Sequence, residues 1–73
     1  EAVGKGGTLP CILNAANEVA VANFLQDKIG FLEMSHVLEQ TMCKASFVAN
    51  PTYQDYVETD TESRRIALEL IRL

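Results

Sequence analysis

Seventy-three residues, with six Lys and Arg against ten Asp and Glu and a net charge of −4, bound what this chain can be. The length holds one domain. The acidic balance argues against nucleic acid, which needs a basic stripe to displace counterions, and leaves no basic helix face for a membrane surface.

Two cysteines, Cys11 and Cys43, allow at most one disulfide. Both read as reduced cytosolic thiols packed as small apolar groups. No signal peptide is visible, and no apolar run approaches the ~20 residues of a membrane span.

Along the chain, Glu1-Ala2-Val3 stops at Gly4-Lys5-Gly6-Gly7, a glycine density that follows a helix end. These three residues are expected to be the tail of a helix whose body lies upstream. Thr8 is a good N-cap, and Pro10 falls in a first turn, where its missing N–H costs nothing. Helical periodicity predicts a helix from Leu9 to about Lys28, ended by Gly30. Its stripe is Leu9, Ile12, Leu13, Ala16, Val19, Ala20 and Phe24. The far side carries Cys11, Ala15, Val21, Ala22 and Leu25, so this helix reads as buried on more than one side. Asn14, Asn17 and Glu18 are then expected to be partly buried and hydrogen-bonded.

A second helix is predicted from about Met34 to Ala45, burying Met34, Val37, Leu38 and Met42. Ile29, Phe31 and Leu32 are expected to fill the corner before it. Ala49-Asn50-Pro51 breaks the chain. Thr52 with Asp55 forms a capping-box signature for a short helical turn, and Thr59 with Glu62 repeats it ahead of a last helix. That helix buries Ile66, Ala67, Leu70, Ile71 and Leu73. The fold class is all-α: a small bundle of three main helices plus a short helical turn.

Candidate chemistry is thin. Gly4-Lys5-Gly6-Gly7-Thr8 lacks both the spacing of a phosphate loop and a preceding strand. His36, Glu39 and Cys43 share a helix face at metal-ligand spacing, but a zinc site needs three good ligands and here the third is weak. A solvated face accounts for them better. Asp55, Glu58, Asp60 and Glu62 lack the carboxylate order of a calcium loop; helix N-termini, which favour negative charge, explain them. No nucleophile is paired with a base. Catalytic, cofactor and metal residues are therefore all read as none.

One segment is more specific. Gly6-Gly7-Thr8-Leu9-Pro10-Cys11-Ile12-Leu13-Asn14-Ala15-Ala16-Asn17-Glu18-Val19-Ala20-Val21, followed by Phe24-Leu25, Lys28-Ile29 and Phe31-Leu32, resembles the C-terminal domain of the 1-deoxy-D-xylulose 5-phosphate reductoisomerase family. Tyr53-Gln54-Asp55-Tyr56-Val57 and Asp60 to Arg64 fit that family's last helical stretch more loosely. Glu33-Met34-Ser35 and Cys11 depart from the common pattern without harming a helical scaffold.

The resemblance implies a larger enzyme, with an upstream NADPH-binding domain and a central catalytic domain carrying a divalent metal, Mg²⁺ or Mn²⁺. That enzyme rearranges and reduces 1-deoxy-D-xylulose 5-phosphate to 2-C-methyl-D-erythritol 4-phosphate in non-mevalonate isoprenoid synthesis. Its expected partners are its own remaining domains and a second copy in a homodimer. Its expected place is a bacterial cytoplasm, or a plastid. The resemblance places the catalytic residues upstream, so residues 1–73 are expected to be a partial, non-catalytic C-terminal domain. Asn14, Asn17, Glu18, Phe24 and Gly30 are its expected structural anchors, with Phe24→Ala expected to cost about 3–5 kcal/mol of domain stability. The alternative is a free-standing helical module that offers its first helix to a protein partner.

Overall fold

The computed structural model describes residues 7–72, which form three helices: α1 Leu9–Leu25, α2 Phe31–Lys44 and α3 Tyr53–Arg72. No strand occurs among the described residues. The expected helix tail at Glu1–Val3, the stretch from Gly4 to Gly6 and Leu73 lie outside them. α1 and α2 are antiparallel, since Ile12 near the start of α1 packs with Ala45 just past the end of α2. α3 lies along α1 in the same direction: Cys11 meets Tyr56, and Glu18 meets Arg64.

Pro10 sits in the first turn of α1, as expected. Thr8 occupies the cap position, yet its hydroxyl does not cap the helix. Instead Thr8 Oγ1 accepts the Val48 N–H at 2.9 Å, while the Thr8 N–H donates to the Val48 carbonyl at 3.0 Å. This two-way clamp is buried at Thr8 and ties the start of α1 to the loop before α3. Gly7 beside it has a φ of +54°; a Cβ there would overlap the Val48 carbonyl oxygen and come within 2.9 Å of Ala49 Cα.

α1 ends at Leu25, short of Lys28. The left-handed residue after it is Asp27, at φ 61°. Its N–H bonds the Phe24 carbonyl at 3.0 Å, and the Lys28 N–H bonds Asn23 O at 2.9 Å. That double pattern is a Schellman motif. Gly30, the expected terminator, has an extended backbone (φ −89°, ψ 174°) and opens α2 instead. Left-handed backbone strains a residue that carries a Cβ, though Asp tolerates it better than most. Asp27→Gly should therefore raise stability by about 0.5–1 kcal/mol. A urea midpoint that moves down rather than up, at unchanged slope, would refute this.

α2 starts at Phe31, before the expected Met34, and ends at Lys44. The Glu33 carboxylate accepts the Gly30 N–H at 2.5 Å, which is half of a capping box, glycine having no side chain for the other half. Val37 and Thr41 are buried, and Ile29, Met34 and Leu38 pack against the core from its edge. Phe31 and Leu32 do not fill the corner; they are 70% and 82% exposed.

The capping box at Thr52 is formed. The Thr52 N–H donates to Asp55 Oδ2 at 2.9 Å, and the Asp55 N–H to Thr52 Oγ1 at 3.2 Å. The second signature opens nothing. Thr59 is buried within α3, and Glu62 accepts the Ser46 N–H at 3.0 Å. The expected turn and last helix are thus one continuous helix of 20 residues.

The core is built largely of small side chains. Ile12, Ala15, Ala16, Ala20 and Ala67 are fully buried, with Val19, Val37 and Ile66 beside them. Alanine at the contact positions lets the helix backbones come close, which brings the remaining large side chains within reach of each other. The buried face of α1, Ile12, Ala15, Ala16, Val19 and Ala20, is turned by roughly 50° from the stripe read by period at about 100° per residue. Ala15, on the far side of that pattern, lies in the core. Leu9, Leu13 and Phe24 lie at its edge, 37–43% exposed.

Candidate functional site

Asn14, Asn17 and Glu18 are exposed on α1 rather than partly buried. Of the three, Glu18 reaches across to α3: Arg64 Nη2 donates to Glu18 Oε1 at 2.6 Å, and Arg64 Nε to Asp60 Oδ2 at 2.9 Å. The hydrogen bond to Asp60, then that to Glu18, holds the Arg64 guanidinium above its already high pKa. This has no consequence at any ordinary pH. Pairs this exposed contribute about 0.2–1 kcal/mol each. The network fixes how α1 and α3 sit together and has no chemistry of its own. Nothing in the sequence linked residue 18 to residue 64, because a contact this distant follows from packing alone.

Cys11 is half-buried beside that network, its Sγ 3.6 Å from the Tyr56 carbonyl oxygen. Burial pushes its thiol pKa up, the Asp60 carboxylate adds to the rise, and Arg64 offsets part of it. A raised pKa means less thiolate at pH 8, so the thiol is poorly nucleophilic. Cys43 is exposed, and so does not pack as the small apolar group expected. Iodoacetamide at pH 8 should alkylate Cys43 at least about tenfold faster than Cys11. Peptide mass spectrometry over time reads both rates, and equal rates would contradict the burial of Cys11.

His36 and Glu39 are exposed on α2 together with Cys43. Among the described residues no three His, Cys, Asp or Glu side chains converge on a point where a metal could sit. The acidic residues of α3 have other work. Asp55 caps the helix, Asp60 pairs with Arg64, and Glu62 holds the Ser46 N–H. Only Asp55 lies in the first turn, so the helix-dipole account covers it and not the rest.

An open cleft of about 290 Å³ lies between the loop and α3, lined by Ser46, Val48, Asp55, Glu58, Thr59 and Glu62. Two of its three carboxylates are committed to backbone N–H groups, and no basic side chain lines it. It offers no anion or nucleotide a counter-charge. No described helix is long and apolar enough to cross a membrane.

The described residues thus define a class: a helical bundle whose polar side chains brace helices and loops. Residues 1–66 match the DXP reductoisomerase C-terminal domain, and the chain belongs to that family. It is similar to 1-deoxy-D-xylulose 5-phosphate reductoisomerase of Bacteroides thetaiotaomicron, at 65% identity over 97% of this chain and 18% of that protein. The Phocaeicola vulgatus protein of the same name is 59% identical over 97% of this chain and 19% of its own length. The one from Acetivibrio thermocellus is 42% identical over 99% of this chain and 19% of its own length. The chain therefore spans under a fifth of the length of these relatives. No solved structure matches it significantly.

Proposed function

We propose that this chain is the non-catalytic helical scaffold of a reductoisomerase. That enzyme converts 1-deoxy-D-xylulose 5-phosphate to 2-C-methyl-D-erythritol 4-phosphate in isoprenoid synthesis. The observation that carries the reading is the family match over residues 1–66, joined to side chains engaged in capping and bracing. NADPH and Mg²⁺ or Mn²⁺ would serve the enzyme from its other domains. The donor set here does not suit a metal, because Asp55 and Glu62 are spent on backbone N–H groups and His36 stands on an open helix face. In this reading the bundle packs against the remaining domains of a cytoplasmic, homodimeric enzyme. The half-exposed edge of Leu9, Leu13 and Phe24 supports such packing, since apolar edges of this kind mark contact surfaces.

Calorimetric titration of the 73-residue chain with NADPH, with Mg²⁺ or Mn²⁺, and with the sugar phosphate tests the reading. No detectable heat is expected. Saturable binding of any of them would overturn the assignment of this chain as a scaffold.

Phe24→Ala in the full enzyme gives a second test. Phe24 is 37% exposed and meets Phe31 edge to face, ring centroids 6.5 Å apart. In the 73-residue chain alone its truncation should therefore cost about 1–2 kcal/mol, less than the 3–5 kcal/mol expected of a buried ring. kcat should hold within about twofold wherever the variant stays folded, a difference of roughly 0.4 kcal/mol in barrier height. A hundredfold fall in kcat in a folded variant would end the scaffold reading.

A further inference from the structure

We infer that the tip of the α1–α2 hairpin, formed by Phe24, Leu25, Phe31 and Leu32, is the face by which this bundle docks on the body of its own polypeptide. The inference rests on the scaffold reading above and specifies its contact. Three of the four side chains stand 70–82% exposed, although they are large and apolar. Phe24 and Phe31 touch, which joins the end of one helix to the start of the next in a single patch. Asp27, Lys28 and Glu33, all exposed, surround it, the charged rim that recognition patches carry around an apolar centre.

The turn that presents the patch is fixed from both sides. Asp27 and Lys28 close α1 with two backbone hydrogen bonds, and Glu33 secures the Gly30 N–H that opens α2. Five connecting residues, 26–30, leave little slack between these anchors. A partner meeting this tip therefore spends little on ordering it, the condition under which a small apolar patch binds well.

Patch size decides the occupant. Side chains of these kinds, at these exposures, offer on the order of 500 Å². A free-standing interface needs about 800 Å² from each partner, so a second copy is poorly served. A tethered partner needs less, because the linkage supplies a high effective concentration. The relatives carry more than four-fifths of their length outside this domain, so a tethered partner of ample surface is at hand.

The test uses the full-length enzyme, with Leu25→Cys and Leu32→Cys as separate variants and Leu13→Cys as a third. Maleimide labelling rates are read site by site by peptide mass spectrometry, native and in urea, and their ratio gives the protection at each position. Protection of tenfold or more at positions 25 and 32, unchanged on dilution, is expected. Two exposed sites are used so that one poorly folding variant does not decide the matter.

Protection near one at both, with position 13 protected, would overturn this inference alone. Protection near one at all three positions would overturn the scaffold reading with it. Protection that falls on dilution would make the occupant a second copy and would also overturn the proposal.

Discussion

Gly7→Ala lowers the midpoint of thermal unfolding by roughly 12–24 °C, because the residue meets two penalties together. Its φ of +54° is left-handed, which strains any side chain with a Cβ by about 1–2 kcal/mol. The new methyl also overlaps the Val48 carbonyl oxygen and crowds Ala49 Cα and O. These are backbone atoms, with no rotamer to move away. They are held in place by the Thr8–Val48 hydrogen bonds, so relieving the overlap breaks the clamp. A lost buried hydrogen bond adds about 1–3 kcal/mol, and about 3 kcal/mol in all is a conservative sum. Circular dichroism at 222 nm, followed with temperature, reads the result. A shift under 3 °C would show that the loop gives way freely and that the clamp is weak.

Ile12→Ala is the second large effect, expected at about 3–5 kcal/mol. Ile12 is the largest fully buried side chain of the chain's described part. It joins α1 to Ala45 and to Ile66 of α3, with Met42 and Leu70 against the cluster. The cost of a cavity depends on how far its walls can collapse. Ala15 and Ala16, its neighbours on α1, have no side-chain torsions with which to fill the space. Met42 is the most flexible neighbour, and it limits the loss rather than cancelling it. Urea unfolding monitored by circular dichroism checks the value; a loss below 1.5 kcal/mol would mean that α2 closes onto the vacancy.

Period and turn chemistry made much of the bundle legible. Pro10 after Thr8 located the start of α1, and the Thr52–Asp55 pair located the start of α3 through local hydrogen bonds alone. What misled was side-chain size. Leu9, Leu13 and Phe24 dominate any apolar stripe drawn on α1, while Ala15 barely registers. In a thin bundle with close backbones, however, alanines occupy the contact line and larger groups are displaced to its edge.

Thr59 misled for a related reason. It resembles a cap in sequence, yet a buried hydroxyl inside a helix can be tolerated, as the neighbouring Ser63 also shows. Glycine often ends a helix, yet Gly30 opens α2 and Asp27 takes the left-handed position three residues earlier. The exposure of Asn14 and Asn17 followed from the turned face of α1, which local pattern does not determine. The family, by contrast, was legible from the run Leu13-Asn14-Ala15-Ala16-Asn17-Glu18, whose identity does not depend on which side chains are buried.

The clamp at Thr8 also bears on how the chain opens. It joins positions 40 apart in sequence and so encloses the whole α1–α2 hairpin between its ends. The Val48 amide lies in a loop, where amide protons commonly exchange with solvent through small local fluctuations. Here its proton is held by the hydroxyl of a fully buried residue, and freeing it requires the ends of the hairpin to part. Deuterium should therefore enter at Val48 about as slowly as in the middle of α1. That one loop amide then reports the free energy of unlocking the hairpin as a unit, while amides at the tips of the helices report only fraying.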